Sequence, residues 1–284
     1  MKVLILFFSG TGNTKFVAEK IKDRLKNNIK TVKCVSVENF PAEAVKDYDF
    51  LIFGYPVYGY KMPLFLKKYA QRMTLPSAKG IYLFCTIGYK AGNALRKTAD
   101  LLSQKGGRVV GSKTFVMPGN DGLLITKKGS KTAEKVLKTD YNKEKTLLDA
   151  VQSITETINQ LKDTPITKRD ISLPHRSILY AIVTPLMSLA FTIFEWIFMK
   201  KFRVTEKCIH CGLCEQICPS GNITIQNGKV TFDNKCYFCL RCINQCPVEA
   251  IEISWFTKGK FRYKGPTGRY RPAPLNRRKD SSDD

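Results

Sequence analysis

The cysteines constrain this chain more than any other feature of its sequence. Eight of the ten lie between residues 208 and 246 and form two copies of one pattern. In each copy, two residues separate three successive cysteines, and three residues separate the third from a fourth that precedes proline. Three cysteines at this spacing bind one 4Fe–4S cluster, whereas the fourth reaches the other cluster of a pair. The spacing therefore predicts two clusters with exchanged fourth ligands: Cys208, Cys211, Cys214 and Cys246 on the first, and Cys236, Cys239, Cys242 and Cys218 on the second.

Zinc and disulfides are the alternatives for this segment. A structural zinc site is complete with four ligands, and a duplicated cysteine triplet with two Cys-Pro pairs exceeds that need. A disulfide framework is typical of short secreted chains, and no secretory signal is evident before the Gly-Thr-Gly-Asn that follows the first apolar run. Cluster cysteines need a reducing compartment, so we expect a cytoplasmic protein. The segment resembles the bacterial-type two-cluster ferredoxins.

A polar loop follows the first apolar run of the chain. Residues 3–8 are continuously apolar, as in a buried parallel strand, and an amphipathic helix is predicted from the end of the loop through Lys26. The loop reads Ser9-Gly10-Thr11-Gly12-Asn13-Thr14. Backbone N–H groups, hydroxyls and a helix N-terminus together form a phosphate site, although an ordinary polar turn is the alternative. The loop is neither a dinucleotide fingerprint nor a P-loop, which would need a lysine.

This loop resembles the FMN-phosphate loop of flavodoxins, Ser/Thr-x-Thr-Gly-x-Thr. The defined positions are matched by Ser9, Thr11, Gly12 and Thr14. The resemblance implies that the hydroxyls of Ser9, Thr11 and Thr14, and the backbone amides from Gly10 through Asn13 to Thr14, bind the phosphate of FMN.

Two later loops resemble, in position, the flavodoxin loops that enclose the isoalloxazine ring. One follows the third predicted strand and the other follows the fourth. The candidate flavin contacts are Pro56, Val57, Tyr58, Gly59, Thr86, Gly88 and Tyr89. Tyr58 and Tyr89 are candidates to stack on the flavin, although loop tyrosines often serve half-buried packing. Residues 118–121 are a weaker candidate for the rim of the same site.

Five predicted strands alternate with helices in the first half of the chain. This pattern predicts an α/β fold, a flavodoxin-like doubly wound five-stranded parallel sheet, followed by a small α+β two-cluster ferredoxin-like domain. The predicted boundaries are 1–162 for the FMN domain, 163–203 for a linker with an apolar helix, 204–254 for the cluster domain and 255–284 for a basic, disordered tail.

The apolar helix, Ile178 to Met199, is long enough to span a membrane. Its polar residues form one stripe: Thr184, Ser188, Thr192 and Glu195. A single span would place the clusters and the flavin on opposite sides of the membrane, so we expect a buried helix between the domains. The alternative is an interfacial helix with the cations that follow it, Lys200, Lys201 and Arg203, at the lipid headgroups.

The formal charge of the 284-residue chain is +23, and the predicted tail is rich in lysine and arginine. Such a charge favours acidic partners. We expect acidic redox proteins of the ferredoxin or flavodoxin type, with peripheral membrane contact as a further interaction. The aromatic residues among the tail cations also fit a nucleic-acid arm, which we consider the weaker interpretation.

Taken together, the two halves resemble the flavodoxin–ferredoxin fusion proteins of anaerobic bacteria and archaea, the EFR-type ferredoxins. The resemblance implies electron transfer between low-potential one-electron carriers and a two-electron acceptor through two 4Fe–4S clusters and FMN, with no catalytic side chain. The alternatives are an FMN-dependent reductase of a small substrate, such as a quinone or an unsaturated ring compound, and a scaffold in which the clusters are structural. The absence of a nicotinamide fingerprint indicates that electrons arrive from another protein.

Overall fold

The first half of the chain forms a five-stranded parallel sheet. The computed structural model describes residues 1–119, 123–272 and 275. The strands are β1 (Lys2–Phe7), β2 (Thr31–Ser36), β3 (Phe50–Pro56), β4 (Gly80–Ile87) and β5 (Arg108–Val116). Their order in the sheet is β2-β1-β3-β4-β5. This is the flavodoxin-like doubly wound order, so the predicted fold class is confirmed.

Helices cover both faces of the sheet because its strands are apolar on both sides. They are α1 (Asn13–Leu25), α2 (Leu64–Arg72), α3 (Ala94–Gln104), α4 (Lys131–Lys138) and α5 (Lys145–Leu161). One hydrophobic core lies on the side of α2 and α3, and the other lies on the side of α1 and α5. All five strands point the same way, so the loops that follow β1, β3 and β4 meet at one edge of the sheet.

The second half forms the small α+β unit. Strand β6 (Phe202–Val204) pairs antiparallel with β9 (Ile251–Ile253), and β7 (Ile223–Gln226) forms a hairpin with β8 (Lys229–Phe232). The hairpin turn is Asn227-Gly228, and both residues have positive φ, 49° and 73°, as a type I′ turn requires. Two short helices, α7 (Leu213–Gln216) and α8 (Arg241–Gln245), complete the unit.

The apolar helix, α6 (Ile178–Met199), lies on the surface of the FMN domain with its polar stripe inward. Ser188 Oγ donates to the Gly59 carbonyl at 3.1 Å, and Lys61 Nζ donates to Thr192 Oγ1 at 2.9 Å. Thr184 is the buried residue of the helix, whereas the apolar side chains are largely exposed. The expected burial of the helix is therefore wrong, although its position between the domains is partly right: Phe194 near its end contacts Phe238 of the cluster domain, with ring centres 6.0 Å apart. The two domains contact each other directly, and the polar stripe finds its hydrogen bonds on the loop after β3.

By length and composition α6 would suffice for a membrane span, and it is the one such helix among the described residues. A single helix of this kind is weak evidence for a span. The contacts of its polar stripe with the loop after β3 hold it against the folded domain.

The basic segment after β9 packs back onto the FMN domain. Lys260 forms a β-bridge with Lys127, and the Phe261 N–H donates to the Thr126 carbonyl at 2.9 Å. Tyr263 is buried, and its hydroxyl donates to Asn13 Oδ1 at 2.7 Å. The predicted disorder is therefore wrong for residues 255–272, because the aromatic residues among the cations supply packing surface. Residues 276–284 lie outside the described part of the chain.

Candidate functional site

A cavity of about 580 Å³ opens at the carboxyl edge of the sheet. The three predicted loops all line it, through Ser9, Gly10, Thr11, Asn13, Thr14, Pro56, Val57, Tyr58, Gly59, Thr86, Gly88 and Tyr89. Gly12 is the one predicted residue outside this lining. It has φ +105°, and a Cβ there would lie 2.7 Å from the ring of Tyr270. Pro118 and Gly119 also line the cavity, whereas Asn120 and Asp121 of the predicted rim lie outside the described residues.

Hydrogen bonds shape the polar end of this cavity. The Gly12 N–H donates to Ser9 Oγ at 3.1 Å, and the hydroxyls of Thr14 and Thr86 lie 2.8 Å apart. The second bond joins the loop after β1 to the end of β4. Helix α1 begins at Asn13, so its first N–H groups lack partners within the helix. Hydroxyls, free N–H groups and a helix N-terminus at one place suit an anion such as the phosphate of FMN.

The two tyrosines differ in their surroundings. Tyr58 is half-buried, and its hydroxyl would lie 2.8 Å from a Cβ added at Gly10. Tyr89 is exposed at the cavity mouth, with Lys90 Nζ 5.2 Å from the centre of its ring. Gly59 has φ +52° and lies under the ring of Phe191 from α6. The loop after β3 therefore contacts the loop after β1 on one side and α6 on the other. Tyr89, in contrast, is open to solvent.

The eight clustered cysteines divide between two further cavities. One is lined by Cys208, Cys211, Cys214 and Cys246, and the other by Cys218, Cys236, Cys239 and Cys242. These are the two predicted sets, each with its fourth cysteine drawn from the other copy of the motif. We call the set that contains Cys211 the outer set and the set that contains Cys239 the inner set. Within the described residues, no three His, Cys, Asp or Glu side chains converge as ligands of a single ion. Cluster ligands stand farther apart than that, because iron and sulfide lie between them.

Backbone N–H groups point at several of the sulfurs. Asn222 donates to Cys218 Sγ at 3.3 Å, Phe238 donates to Cys236 Sγ at 3.3 Å, and Ala250 donates to Cys246 Sγ at 3.2 Å. Such bonds stabilise negative charge on the thiolate and raise the reduction potential of a cluster.

Burial acts in the opposite direction on the free thiols. It raises the pKa of Cys239 to about 11 and that of Cys236 to about 12. Without iron these groups are thiols at neutral pH. Cluster assembly must therefore release protons from the inner set.

The inner set lies against the FMN loop. A Cβ added at Gly10 would lie 2.8 Å from the carbonyl oxygen of Cys239, so only glycine allows this approach. Phe238 and Leu240, on either side of that cysteine, line the large cavity. Tyr237 stacks on Phe65 of α2 with ring centres 4.2 Å apart. The outer set faces away, and its Cys211 is exposed.

Arg241 fixes this contact. Its side chain is 1% exposed and donates to the Ser9 carbonyl at 2.8 Å and to the Ile217 carbonyl at 2.9 Å. It also pairs with Glu38, after β2. One guanidinium thus joins the cysteine loop, the FMN loop and the sheet.

Sequence reasoning missed four residues around the FMN cavity. They are Arg241, Phe191, Tyr263 and Tyr270. Tyr270 covers Gly12, and its hydroxyl donates to the Ser9 carbonyl at 3.0 Å. The interleaving of aromatic residues with cations is the available signal for the two tyrosines, but the same pattern also fits an unfolded arm.

Comparisons with known proteins agree with both halves. The family model for the flavodoxin domain matches residues 4–120, and that for the 4Fe-4S dicluster domain matches residues 207–250. Pyruvate synthase subunit PorD of Methanocaldococcus jannaschii is 40% identical over 58 residues, which are 20% of this chain and 67% of that protein. An uncharacterized ferredoxin of the same organism is 42% identical over 53 residues, 17% of this chain and 69% of that protein.

Three further similarities differ in extent. NADH-quinone oxidoreductase subunit I 2 of Geobacter metallireducens is 34% identical over 67 residues, and the chain spans about half of its length, 51%. The flavodoxin of Megasphaera elsdenii has 25% identity and a TM-score of 0.38, over 42% of this chain and 89% of that one. Flavodoxin 2 of Bacillus cereus has 18% identity and a TM-score of 0.43, over 58% of this chain and 100% of that one.

The fold and the two kinds of site define an iron–sulfur flavoprotein of electron transport. The chain belongs to the flavodoxin–ferredoxin fusion proteins, with a flavodoxin domain at its N-terminus and a 4Fe–4S dicluster domain towards its C-terminus. The flavodoxin domain implies FMN, and the dicluster domain implies 4Fe–4S clusters.

Proposed function

We propose that this protein transfers electrons between low-potential one-electron carriers and a two-electron acceptor through two 4Fe–4S clusters and FMN. The contact between Cys239 and the Gly10 loop carries the proposal, because it brings a cluster ligand against the loop assigned to FMN. When bound, each cluster passes one electron at a time and FMN accepts one or two; this chemistry belongs to the cofactors.

In this proposal the outer and inner sets of cysteines each hold one cluster, and the loop from Ser9 to Thr14 holds the FMN phosphate. The exposed Cys211 and its exposed neighbour Ile209 make the outer cluster the contact point for a carrier. The inner cluster then connects the outer one to the flavin. The protein itself sets the distances between the proposed cofactors, holds the binding loops in place and excludes water.

Anaerobic rapid mixing tests this order. The holo-protein is mixed with a reduced acidic ferredoxin, and flavin absorbance is followed. Cys211→Ala removes an outer ligand and should abolish fast flavin reduction while FMN content stays unchanged. Cys34→Ala, in β2 and outside both sets, is the matched control. Unchanged flavin reduction in Cys211→Ala would contradict the path through the outer cluster.

A second candidate is an FMN-dependent reductase of a small substrate. The cavity extends beyond the three predicted loops to Thr132 and Val136, both on α4, which leaves space for a further molecule. The dithionite-reduced protein should then turn over a quinone or an unsaturated ring compound with saturation. Reoxidation that rises linearly with substrate concentration would favour simple electron transfer.

We further propose acidic redox proteins as partners and the cytoplasm as the compartment. The formal charge of +23 supports the first, because association with acidic proteins is steered by opposite charge. The proposed cluster cysteines need a reducing compartment, which supports the second.

A further inference from the structure

Helix α6 exposes a continuous apolar stripe on the outside of the protein. The side chains of Ile182, Leu186 and Leu189 are 73%, 70% and 59% exposed. The stripe continues at both ends through Ile178, Ile193 and Trp196, all exposed. These positions recur at three or four residues and therefore share one face of the helix. An exposed apolar face of this length marks a surface that meets an apolar partner.

The opposite face of α6 belongs to the folded domain. Its hydrogen bonds through Ser188 and Thr192 attach it to the loop after β3, and Phe191 packs on Gly59 of the same loop. Glu195 is half-buried on this side. A transmembrane arrangement would break these contacts and move a carboxyl group into hydrocarbon, whereas an arrangement parallel to a surface keeps all of them.

Cations border the apolar stripe. Lys61 and Lys90 lie along one side, since the first donates to Thr192 and the second lies beside Tyr180. Lys200 and Lys201 follow the helix, and Lys200 Nζ lies 3.9 Å from the centre of the Trp196 ring. The only acidic residue of α6 is Glu195, on the inner face. The surface thus joins apolar area with positive charge.

We propose that α6 lies flat in the headgroup region of an anionic bilayer, with its apolar stripe towards the acyl chains and these lysines on lipid phosphates. Such a helix binds through buried apolar area together with attraction to anionic lipid. A second copy of the chain fits the surface less well, because it would bring two rims of lysine together without neutralising either. Since Phe191 lines the FMN cavity, membrane binding would also hold that cavity near the bilayer surface.

Vesicle sedimentation with the full-length holo-protein tests the proposal. Vesicles of phosphatidylcholine alone are compared with vesicles that also contain phosphatidylglycerol. We expect binding to the anionic vesicles that weakens as salt rises. The triple variant Ile182→Gln, Leu186→Gln, Leu189→Gln should bind these vesicles with an affinity that is lower by about tenfold or more, because apolar area in the interface is lost.

Matched controls distinguish binding through this surface from nonspecific adsorption to the vesicles. The triple variant Leu64→Gln, Ile125→Gln, Leu137→Gln removes side chains that are 66%, 64% and 68% exposed elsewhere, and should bind like the wild type. The double variant Lys200→Glu, Lys201→Glu should lose the preference for anionic lipid, whereas Lys30→Glu, Lys46→Glu should keep it.

Three results would overturn the proposal. The first is equal binding of wild type and the α6 triple variant. The second is a wild-type dimer in light scattering that the α6 variant converts to a monomer, which would identify a second copy as the partner. The third is resistance to alkaline carbonate extraction, which would indicate a span. Flavin reduction in solution is measured separately, so failure here leaves the proposed electron transfer untouched.

Discussion

Arg241 and Glu38 form a two-point ion pair across the boundary between the two domains. Two guanidinium nitrogens of Arg241 lie 2.8 and 3.0 Å from the two carboxylate oxygens of Glu38. Burial lowers the pKa of Arg241, but the carboxylate outweighs this and the net pKa is raised. Arg241 therefore keeps its positive charge at every working pH. Glu38 orients a guanidinium that also donates to the carbonyls of the FMN loop, so the position of the inner cysteine set against that loop depends on the pair.

Replacing Arg241 by methionine should loosen the two domains. Removing one member of a buried pair costs about 3–5 kcal/mol, because the other charge is left without a partner. We expect a lower Tm and slower flavin reduction through the clusters. Arg241→Lys keeps the charge but loses the fork geometry, so it should give an intermediate loss. The control is Arg72→Met, whose pair with Glu43 is exposed and contributes about 0–1 kcal/mol. Equal effects of the two methionine variants would contradict the assigned role.

The FMN loop can be tested at Thr11. Thr11→Asp should place a carboxylate against the phosphate and remove a hydroxyl donor, so FMN affinity should fall by about tenfold or more, as a charge clash costs over 1.4 kcal/mol. Fluorescence titration of flavin-depleted protein measures the affinity. Because Thr11 is buried, Thr11→Ala is measured alongside to separate charge from misfolding. Thr146→Asp, exposed on α5, should bind FMN normally. Full FMN in Thr11→Asp would show that the loop is not the phosphate site.

Iron and sulfide analysis tests the two cysteine sets. Two cubes require about eight iron atoms per chain. Cys211→Ala should reduce iron content at the outer site, whereas Cys85→Ala, buried in β4 and outside both sets, should leave it unchanged. Low-temperature EPR of the reduced protein should show interacting clusters. Stoichiometric zinc without iron would exclude the cluster assignment.

Surface charge should make reduction by acidic carriers dependent on salt. Screening shortens the reach of exposed charges to about 8 Å at physiological ionic strength. Deleting the whole segment from residue 255 would also disturb the FMN loop, because Tyr263 and Tyr270 hydrogen-bond to residues of that loop. The double variant Lys258→Gln, Arg269→Gln keeps those contacts and removes exposed cations from the segment. Its rate should fall less steeply with salt than that of the wild type. Identical slopes would show that these cations do not steer association.

The parts of the fold that depend on local pattern were predictable. The apolar strands, the polar loop after β1 and the cysteine spacing each indicate the local structure at their own position, whereas the strand order was implied by the resemblance to flavodoxins. The exchanged cysteine sets were also predictable, because the Cys-Pro position carries that information. The ligand assignments themselves stay predictions.

The contacts between distant segments were not predictable. Arg241 and Glu38 are 203 positions apart, and nothing in either neighbourhood indicates the other. Helix α6 misled for a different reason. Its polar stripe was visible in the sequence, but the pattern did not show that this stripe bonds to the loop after β3 or that a few aromatic side chains, such as Phe191, pack on the domains while most of the apolar face stays exposed. The aromatic residues of the basic segment were likewise not predictable as packing residues, because their contacts are with the distant FMN loop.

Glu195 should give the protein a stability that falls with rising pH. Burial raises the pKa of this carboxyl from its ordinary value of about 4.5 to about 7, and the nearby Lys61 only partly opposes this. The Cys236 thiol also faces it. The folded state therefore holds a proton that the unfolded state has lost between about pH 4.5 and 7. Stability must fall as pH rises through this window and then level off.

Glu195→Gln removes the titration and keeps the shape. Its Tm should change less than that of the wild type between pH 5 and 8, and at pH 8 it should exceed the wild-type value. Differential scanning calorimetry of the anaerobic holo-protein measures both. Asp149→Asn, at an exposed position of α5, is the control and should follow the wild type. A wild-type and a Glu195→Gln profile with the same slope would show that the carboxyl group does not titrate in this window.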